Sequence, residues 1–359
     1  MKKLLLFLSV ITFISCQKNN APVPASTLPK LSAADLAKLA CIKKPPVSHG
    51  IDVYVTGTYA PFPGANTAAY WKNGVQVDLL PEDGSASDAF GIAVSGTNVY
   101  VAGSYAGPAG SFQAVYWKNG VMHTLNNGPE PVFESEAFDV SVSGNDVYVV
   151  GEHTDSTGVS SAMLWKNGTP HKLAYNAFNS SAISVVAKGA DVYVVGSSAI
   201  NDKIGFIATY WKNGVPTRLP NHKIWTEGKD IAVNGNDVYI AGISYPQPGG
   251  IQSAVYWKNG TEKTLQANAL AEGIAVGNNA VYVGGTSIID DSHFRPAEWK
   301  NSNQTLFGSS GVFFGKDIAT SGNDVYLLAS GSGGADYYKN GVATHIAGAN
   351  PSKILVVQY

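Results

Sequence analysis

One phrase, repeated seven times, constrains this chain more than anything else in it. Its first half is an apolar run that ends in an aromatic residue, Lys and a tight turn: Tyr70-Trp71-Lys72-Asn73-Gly74, then Trp117 to Gly120, Trp165 to Gly168, Trp211 to Gly214, Trp257 to Gly260, Trp299 to Ser302 and Tyr338 to Gly341. Its second half is a run of the Val-Tyr-Val type at Tyr54, Tyr100, Tyr148, Tyr193, Tyr239, Tyr282 and Tyr326. Successive tyrosines lie 43 to 48 residues apart. That period belongs to propeller blades and solenoids, whose repeating unit cannot bury its apolar face without a neighbour.

Each repeat spells four strands. In the second copy Phe90 to Val94 alternates, Gly96-Thr97-Asn98 reads as a tight turn, and Val99 to Gly103 is a second, apolar strand. After a variable loop, Gln113 to Trp117 is a third strand and Val121 to Leu125 a fourth. Between them Asn119-Gly120 predicts a two-residue type I′ hairpin turn, because both central positions need φ > 0. The second strand, as in Val147-Tyr148-Val149-Val150, is apolar without alternation, which predicts burial on both faces between neighbouring blades.

With strands lettered a to d from the axis outwards, complete sets begin near Asp88, Glu136, Ser181, Gly228, Ala271 and Gly315. What remains is a b-c-d set from Ile51 to Leu80 and a lone strand, Ile354 to Tyr359. Joined, they form one more blade. The predicted fold is all-β: a seven-bladed β-propeller of four-stranded antiparallel blades, its ring closed by a C-terminal inner strand joining the N-terminal blade. Closure removes the exposed sheet edges that are the main hazard of an all-β chain.

Composition fits one large β domain over residues 51–359. The chain has 39 Gly among 359 residues and only 14% charged side chains, against about 25% in an average protein. A net charge of -2 gives no bulk attraction to nucleic acid, so none is expected as a partner.

The N-terminus has a different grammar. Lys2 and Lys3 precede the apolar stretch Leu4 to Ile14, which is too short to span a bilayer and reads as a signal peptide over residues 1–15. Ser15-Cys16 directly after it resembles the lipobox of bacterial lipoproteins, although Phe13 stands where that motif usually has Leu. The resemblance implies lipidation of Cys16 and attachment to a membrane through that lipid. Residues 16–50, rich in Pro, Ala, Lys and Asn, read as a tether with one short helix at Ala33 to Cys41. Once Cys16 is acylated only Cys41 remains, which excludes an intrachain disulfide and a cysteine-built metal site.

Topology sorts the connections. The a-b and c-d turns are short and nearly invariant, whereas the b-c and d-a loops vary, and antiparallel order puts the two kinds on opposite faces of the disc. A rigid scaffold presenting variable loops is where binding sites usually lie. The variable face carries Tyr59, Phe62, Tyr105, Phe112, His153, Asp155, Tyr245 and Arg295 in its b-c loops, and Glu82, Asp83, Phe133, Glu134, His222, Trp225 and Glu227 in its d-a loops. Aromatic rings beside carboxylates suit a glycan or peptide, since a flat apolar ring accepts a sugar face while carboxylates take hydroxyl protons. The ligand-binding candidates are therefore Trp225, Tyr59, Tyr105, Tyr245, Glu134, Glu227 and Arg295. Trp225 stands out as the one Trp outside the repeated phrase. The short-turn face carries a ring of lysines, Lys72, Lys118, Lys166, Lys212, Lys258, Lys300 and Lys339, read as solvation of the turns rather than as a head-group site.

Catalytic signatures are sparse. Asp290-Asp291-Ser292-His293 is the one dense acid and His cluster, so Asp290, Asp291 and His293 are the weak catalytic candidates. Asp139, Asp230 and Asp317 recur at one place in the repeat, which points to inner-strand hydrogen bonding rather than chemistry. There is no Asp-box of the sialidase type, phosphate loop, nucleophile elbow or zinc helix, and no cofactor or metal is expected.

The run Ala114-Val115-Tyr116-Trp117-Lys118-Asn119-Gly120, followed by Leu125, Ala137 and Gly151, resembles the bacterial extracellular repeats of the HAF type. The Leu-Gly sequence and Ile-Asn pair usual in those repeats are missing. The resemblance covers Ile51 to Tyr359 and implies a secreted propeller with no established reaction; the lipobox and low charge are similar to lipoproteins of the Bacteroidetes, displayed at the outer membrane or cell surface, with a periplasm-facing position as the alternative. Together these readings point to a monomeric, lipid-anchored binding module for a glycan or protein. The alternatives are a glycan-active hydrolase or lyase on the same scaffold, and a structural subunit of an envelope complex.

Overall fold

The Asn-Gly pairs turn where the sequence requires it. In the computed structural model, Asn73, Asn119, Asn167, Asn213, Asn259, Asn301 and Asn340 take φ of 47° to 52°, and each is followed by a second left-handed residue. Six of those followers are Gly; the seventh is Ser302 at φ 75°. The structure describes residues 50–62, 65–81, 83–107, 110–126, 132–173, 178–199, 205–219, 225–245, 250–308, 313–331 and 333–359. The chain divides into two units, Met1–Lys43 and Lys44–Tyr359, and all described residues belong to the second. Cys16, the tether and the short helix expected at Ala33 to Cys41 lie outside the described residues, as do Glu82, His222 and the side chain of Phe62.

The two halves of the repeated phrase meet at this turn. Asn73 Oδ1 accepts the Val53 N–H at 2.8 Å, while its Nδ2 donates to Asp52 Oδ1 at 2.7 Å. Lys72 Nζ lies 2.6 Å from Asp52 Oδ2 and 5.4 Å from the centroid of the Tyr54 ring. The same lysine–aspartate pair recurs as Lys166–Asp146, Lys212–Asp191, Lys258–Asp237 and Lys339–Asp324, each lysine again over the repeat's Tyr. The repeats of Lys118 and Lys300 have Asn98 and Ala280 in place of that aspartate, and both lysines keep the ring contact. Most of the lysine ring is thus neutralised by its own scaffold.

Seven four-stranded antiparallel sheets form the blades. Blade 1 is Asn350–Gln358, Ile51–Phe62, Ala65–Lys72 and Val75–Asp78, in that order from the axis. The C-terminal strand pairs from Ile51↔Gln358 to Thr58↔Asn350, which is the predicted closure. Blades 2 to 7 follow in chain order, with inner strands Ser87–Ser95, Val132–Ser143, Ser180–Lys188, Trp225–Asn234, Ala269–Gly277 and Phe314–Ser321.

These inner strands start earlier than the repeat suggested, most clearly at Val132 and Trp225. Charged side chains such as Glu134 and Glu227 break the apolar pattern, but the backbone ladder continues beneath them: Trp225 pairs with Tyr245 and Glu134 with Thr154. Phe133, Glu134, Trp225 and Glu227 are therefore strand residues rather than loop residues. So are Tyr59, Tyr105, Phe112, His153, Asp155, Tyr245, Asp290, His293 and Arg295.

The core is seven separate clusters, one at each blade boundary. Between blades 1 and 2, Trp117, Val101 and Ile92 pack on Tyr54, Tyr70 and Leu79. Across the closing boundary Trp71 and Ile354 pack on Tyr326 and Leu328 of blade 7. Trp71, Trp117, Trp165, Trp211, Trp257 and Trp299 are all buried, so the aromatic residue of the phrase is the bolt between adjacent blades.

Candidate functional site

Every inner strand carries a one-residue β-bulge at the same place. In blade 2 Ala89 pairs with Gly103 and Gly91 with Ala102, so Phe90 is extra; in blade 3 Phe138 is extra between Ala137 and Asp139. The equivalent residues are Ile183, Lys229, Glu272, Lys316 and, on the closing strand, Ser352. The strand-b glycine of the phrase makes room for this kink: a Cβ on Gly151 would sit 1.9 Å from Glu136 O. A bulge re-aims side chains locally, and here it delivers two consecutive positions per blade to the axis.

The second of these positions forms a floor across the channel. Asp139 Oδ2 accepts the Val185 N–H at 3.0 Å, Asp230 Oδ2 the Ile274 N–H at 2.9 Å and Asp317 Oδ2 the Ile354 N–H at 3.0 Å, each from the next blade. This is the inner-strand role expected for the three recurring aspartates. Lys353 Nζ reaches in from the closing strand to Asp139 Oδ2 at 2.8 Å and Asp230 Oδ1 at 3.5 Å. Burial and the Asp230 charge push Asp317 up to about 8, against the opposing pull of Lys353. Burial disfavours the Lys353 charge, yet the three carboxyls around it outweigh that and raise its pKa.

Two sides of the channel differ in chemistry. On one side the inner-strand Phe90 and Phe138 meet edge to face at 5.7 Å, and Glu152, Glu134 and Asp88 lie close enough to act on the Glu136 carboxyl. Burial, together with the neighbouring acids, pushes Glu136 up to about 8, and burial takes Glu152 up to about 7. Burial also raises Asp88 and Glu134. On the other side Lys229 pairs with Glu227 at 2.7 Å and feels Glu272, whose own carboxyl is raised by burial despite Lys229 and Lys316.

Trp225 stands at the rim of this second side. Its Nε1–H donates to Glu227 Oε1 at 3.0 Å, and its ring lies 6.1 Å from Phe206 and 5.6 Å from Tyr245. Gly205 lies against the indole, where a Cβ would come within 3.1 Å. Unlike the six buried Trp of the phrase, Trp225 is only half-buried. Of the predicted binding residues, the structure brings together Trp225, Tyr245 and Glu227, and places Glu134 at the same register two blades away.

The other candidates are committed locally. Tyr59 packs on the closing cluster and is raised by burial and by Asp78; Tyr105 Oη donates to Gln113 Oε1 at 3.2 Å. Arg295 Nη2 donates to Gly308 O at 2.8 Å. Asp290, Asp291 and His293 form the exposed tip of a blade 6 hairpin. His293 Nδ1 contacts Asp290 Oδ1 at 2.7 Å and Ser292 Oγ at 3.2 Å. A nucleophilic relay needs the acid and the hydroxyl on opposite ring nitrogens; here both share one. The Ser292 N–H and the other tip hydrogen bonds take Asp290 down to about 2, as in a self-contained turn.

Glu136, Glu152, Lys229, Glu272, Lys316 and Lys353 were not singled out from the sequence. A signal exists: superposing the seven repeats shows the bulge position running through Phe, Ile, Lys, Glu and Ser and the next position through Gly, Asp, Ser and Lys, while the residue before them stays small or is Pro. Among the described residues no group of three or more His, Cys, Asp or Glu is arranged to hold a metal ion, and no helix is long and apolar enough to cross a membrane.

No protein-family model matches this chain, and no curated protein does. Solved structures similar to it include a puromycin-hydrolyzing peptidase of Mycobacterium tuberculosis, at 12% identity and TM-score 0.55, covering 82% of this chain and 52% of that one. A second puromycin hydrolase structure matches at 10% identity and TM-score 0.55, over 84% of this chain and 52% of the other. TolB from Acinetobacter baumannii matches at 10% identity and TM-score 0.46, over 73% and 64%. This chain spans about half the length of the two peptidases. At such identities the likeness shows the propeller fold alone.

Proposed function

We propose that this protein is an extracytoplasmic glycan-binding module, anchored through a lipid on Cys16, that holds its ligand across the mouth of the axial channel. The observation that carries the reading is Trp225: a half-buried indole outside the interblade core, stiffened by Tyr245, Phe206 and its hydrogen bond to Glu227. A fixed aromatic face next to polar groups suits a sugar ring, which offers an apolar face and a rim of hydroxyls. A glycan and peptide array on the full chain tests this. Glycan retention is expected, weakened at least about tenfold by Trp225→Ala; retention of peptides alone would replace it with a protein-binding role.

A hydrolase or lyase is the second reading, favoured by one feature: Glu136 at about 8 beside Glu152 at about 7 can hold a proton at neutral pH, as a general acid must. Release of reducing or unsaturated ends from a bound glycan, abolished in Glu136→Gln, would establish it.

A further inference from the structure

An Asn-Gly pair is open to a spontaneous reaction of its own. The Gly backbone nitrogen attacks the Asn Cγ, ammonia leaves, and water opens the resulting cyclic imide to aspartate or isoaspartate; Gly, with no Cβ, hinders that attack least. Among the described residues such pairs begin at Asn73, Asn119, Asn167, Asn213, Asn234, Asn259 and Asn340. All these asparagines are exposed, so access to water does not separate them. What separates them is the hold on the side chain. At each Lys-Asn-Gly tip the Asn Oδ1 accepts a strand b N–H at 2.8–2.9 Å. Its Nδ2 donates to an Asp carboxylate, or in blade 2 to Asn98, at 2.7–2.9 Å. Asn234, at the a-b turn of blade 5, makes no side-chain hydrogen bond among the described residues.

Blade 6 supplies a second, independent observation. There Ala280 stands where the other repeats have Asp or Asn, and Asn301 keeps only the Oδ1 bond, from the Val281 N–H at 3.0 Å. This tip, which lacks a partner for Nδ2 among the described residues, is also the one whose second turn residue is Ser302 rather than Gly. Backbone geometry alone favours Gly there, yet the labile pair is missing where the clamp is missing. We infer that the Asp or Asn opening strand b guards the hairpin tips against deamidation, and that Asn234 is the modification site the fold leaves open. Ring closure requires Cγ to swing over the Gly nitrogen, which breaks both side-chain bonds at a clamped tip and none at Asn234. Deamidation at Asn234 places a carboxylate beside Gly235, whose carbonyl accepts from Lys188 Nζ of blade 4 at 3.3 Å. The modification thus sets a negative charge next to a lysine on the short-turn face.

The test is ageing of the full chain at mildly alkaline pH, well below its melting temperature, followed by digestion and mass spectrometry, which reads each event as an amino group exchanged for a hydroxyl. Asn234 is expected to convert at least about tenfold faster than any clamped tip asparagine, since a charge-assisted hydrogen bond that must break first adds a barrier of that order. Ser302→Gly creates an Asn-Gly pair without a clamp, so Asn301 should then outpace the clamped tips by a similar factor. Asp146→Ala should release Asn167 in the same way. In a urea-unfolded sample, where every clamp is gone, the pairs should convert at similar rates. Asn234 left intact while the unfolded chain converts overturns the inference, and so does a clamped tip that keeps pace with it. An unreactive Asn301 in Ser302→Gly also overturns it. That variant only trims a side chain from an exposed turn, so it decides the matter even where Asp146→Ala folds poorly.

Discussion

Lys353 Nζ, on the last strand of the chain, lies 2.8 Å from Asp139 Oδ2, 214 residues earlier. The ammonium belongs to blade 1 and the carboxylate to blade 3, and a second contact at 3.5 Å reaches Asp230 in blade 5. The strand that closes the ring is thus held twice: at its edge by the ladder to Ile51–Phe62, and at the axis by charge. Lys353→Met keeps the stem and removes the charge, leaving three carboxyls facing one another. We expect a loss of about 3–5 kcal/mol, the usual cost of stripping one partner from a buried pair. Urea denaturation measures it, and an unchanged midpoint would contradict the assignment.

Stability should fall as pH rises. Glu136, Glu152 and Asp317 have folded-state pKa values raised to about 8, about 7 and about 8 by burial, from ordinary values of 4.5, 4.5 and 3.8. Across that window the folded chain holds protons that the unfolded chain has released, so each unit of pH favours unfolding. The melting temperature is expected to be highest near the ordinary carboxyl range and to decline toward about pH 8, with a shallower slope in Glu136→Gln. A curve that is flat or rising there would show that these carboxyls are ionised in the fold.

Ser302 sits at φ 75°, where the other six turns have Gly. A side chain in the left-handed region carries a steric cost that Gly lacks. Ser302→Gly should stabilise the protein by about 0.5–1 kcal/mol, less whatever the freer unfolded chain returns. Chemical denaturation would register a gain in midpoint, and a loss would mean that the Ser hydroxyl matters more than the strain.

Gly151→Ala should be damaging out of proportion to one methyl group. The new Cβ would meet Glu136 O, a backbone atom, at 1.9 Å, so the inner strand itself must move. At least about 1–3 kcal/mol is expected, together with loss of the bulge that presents Phe138 and Asp139 to the axis. Glycan binding and melting temperature should fall together; a wild-type melting curve would show that the kink does not depend on this glycine.

The sequence made the scaffold legible because the scaffold is what repeats. Asn-Gly required φ > 0, Val-Tyr-Val required two buried faces, and a b-c-d set with a stray strand at the far end left one way to close the ring. The channel was harder to read for the opposite reason. Lys229 or Glu272, met singly, breaks an apolar pattern and looks like the end of a strand, although backbone pairing runs past it. Nothing local in Lys353 announces three aspartates, since ring closure alone brings them together. Trp225 could be found because it departs from the phrase, while Glu152 directly follows a Val-Tyr-Val-Val-Gly run that draws the eye to the scaffold.

The bulge gives this architecture seven interchangeable sockets. The residue at each bulge has no partner in the strand-to-strand register, so Phe, Ile, Lys, Glu and Ser already occupy equivalent places without altering the sheet around them. A change of ligand therefore needs no change of frame: the chemistry of the channel can be rewritten one blade at a time while the ladders and the interblade tryptophans stay as they are.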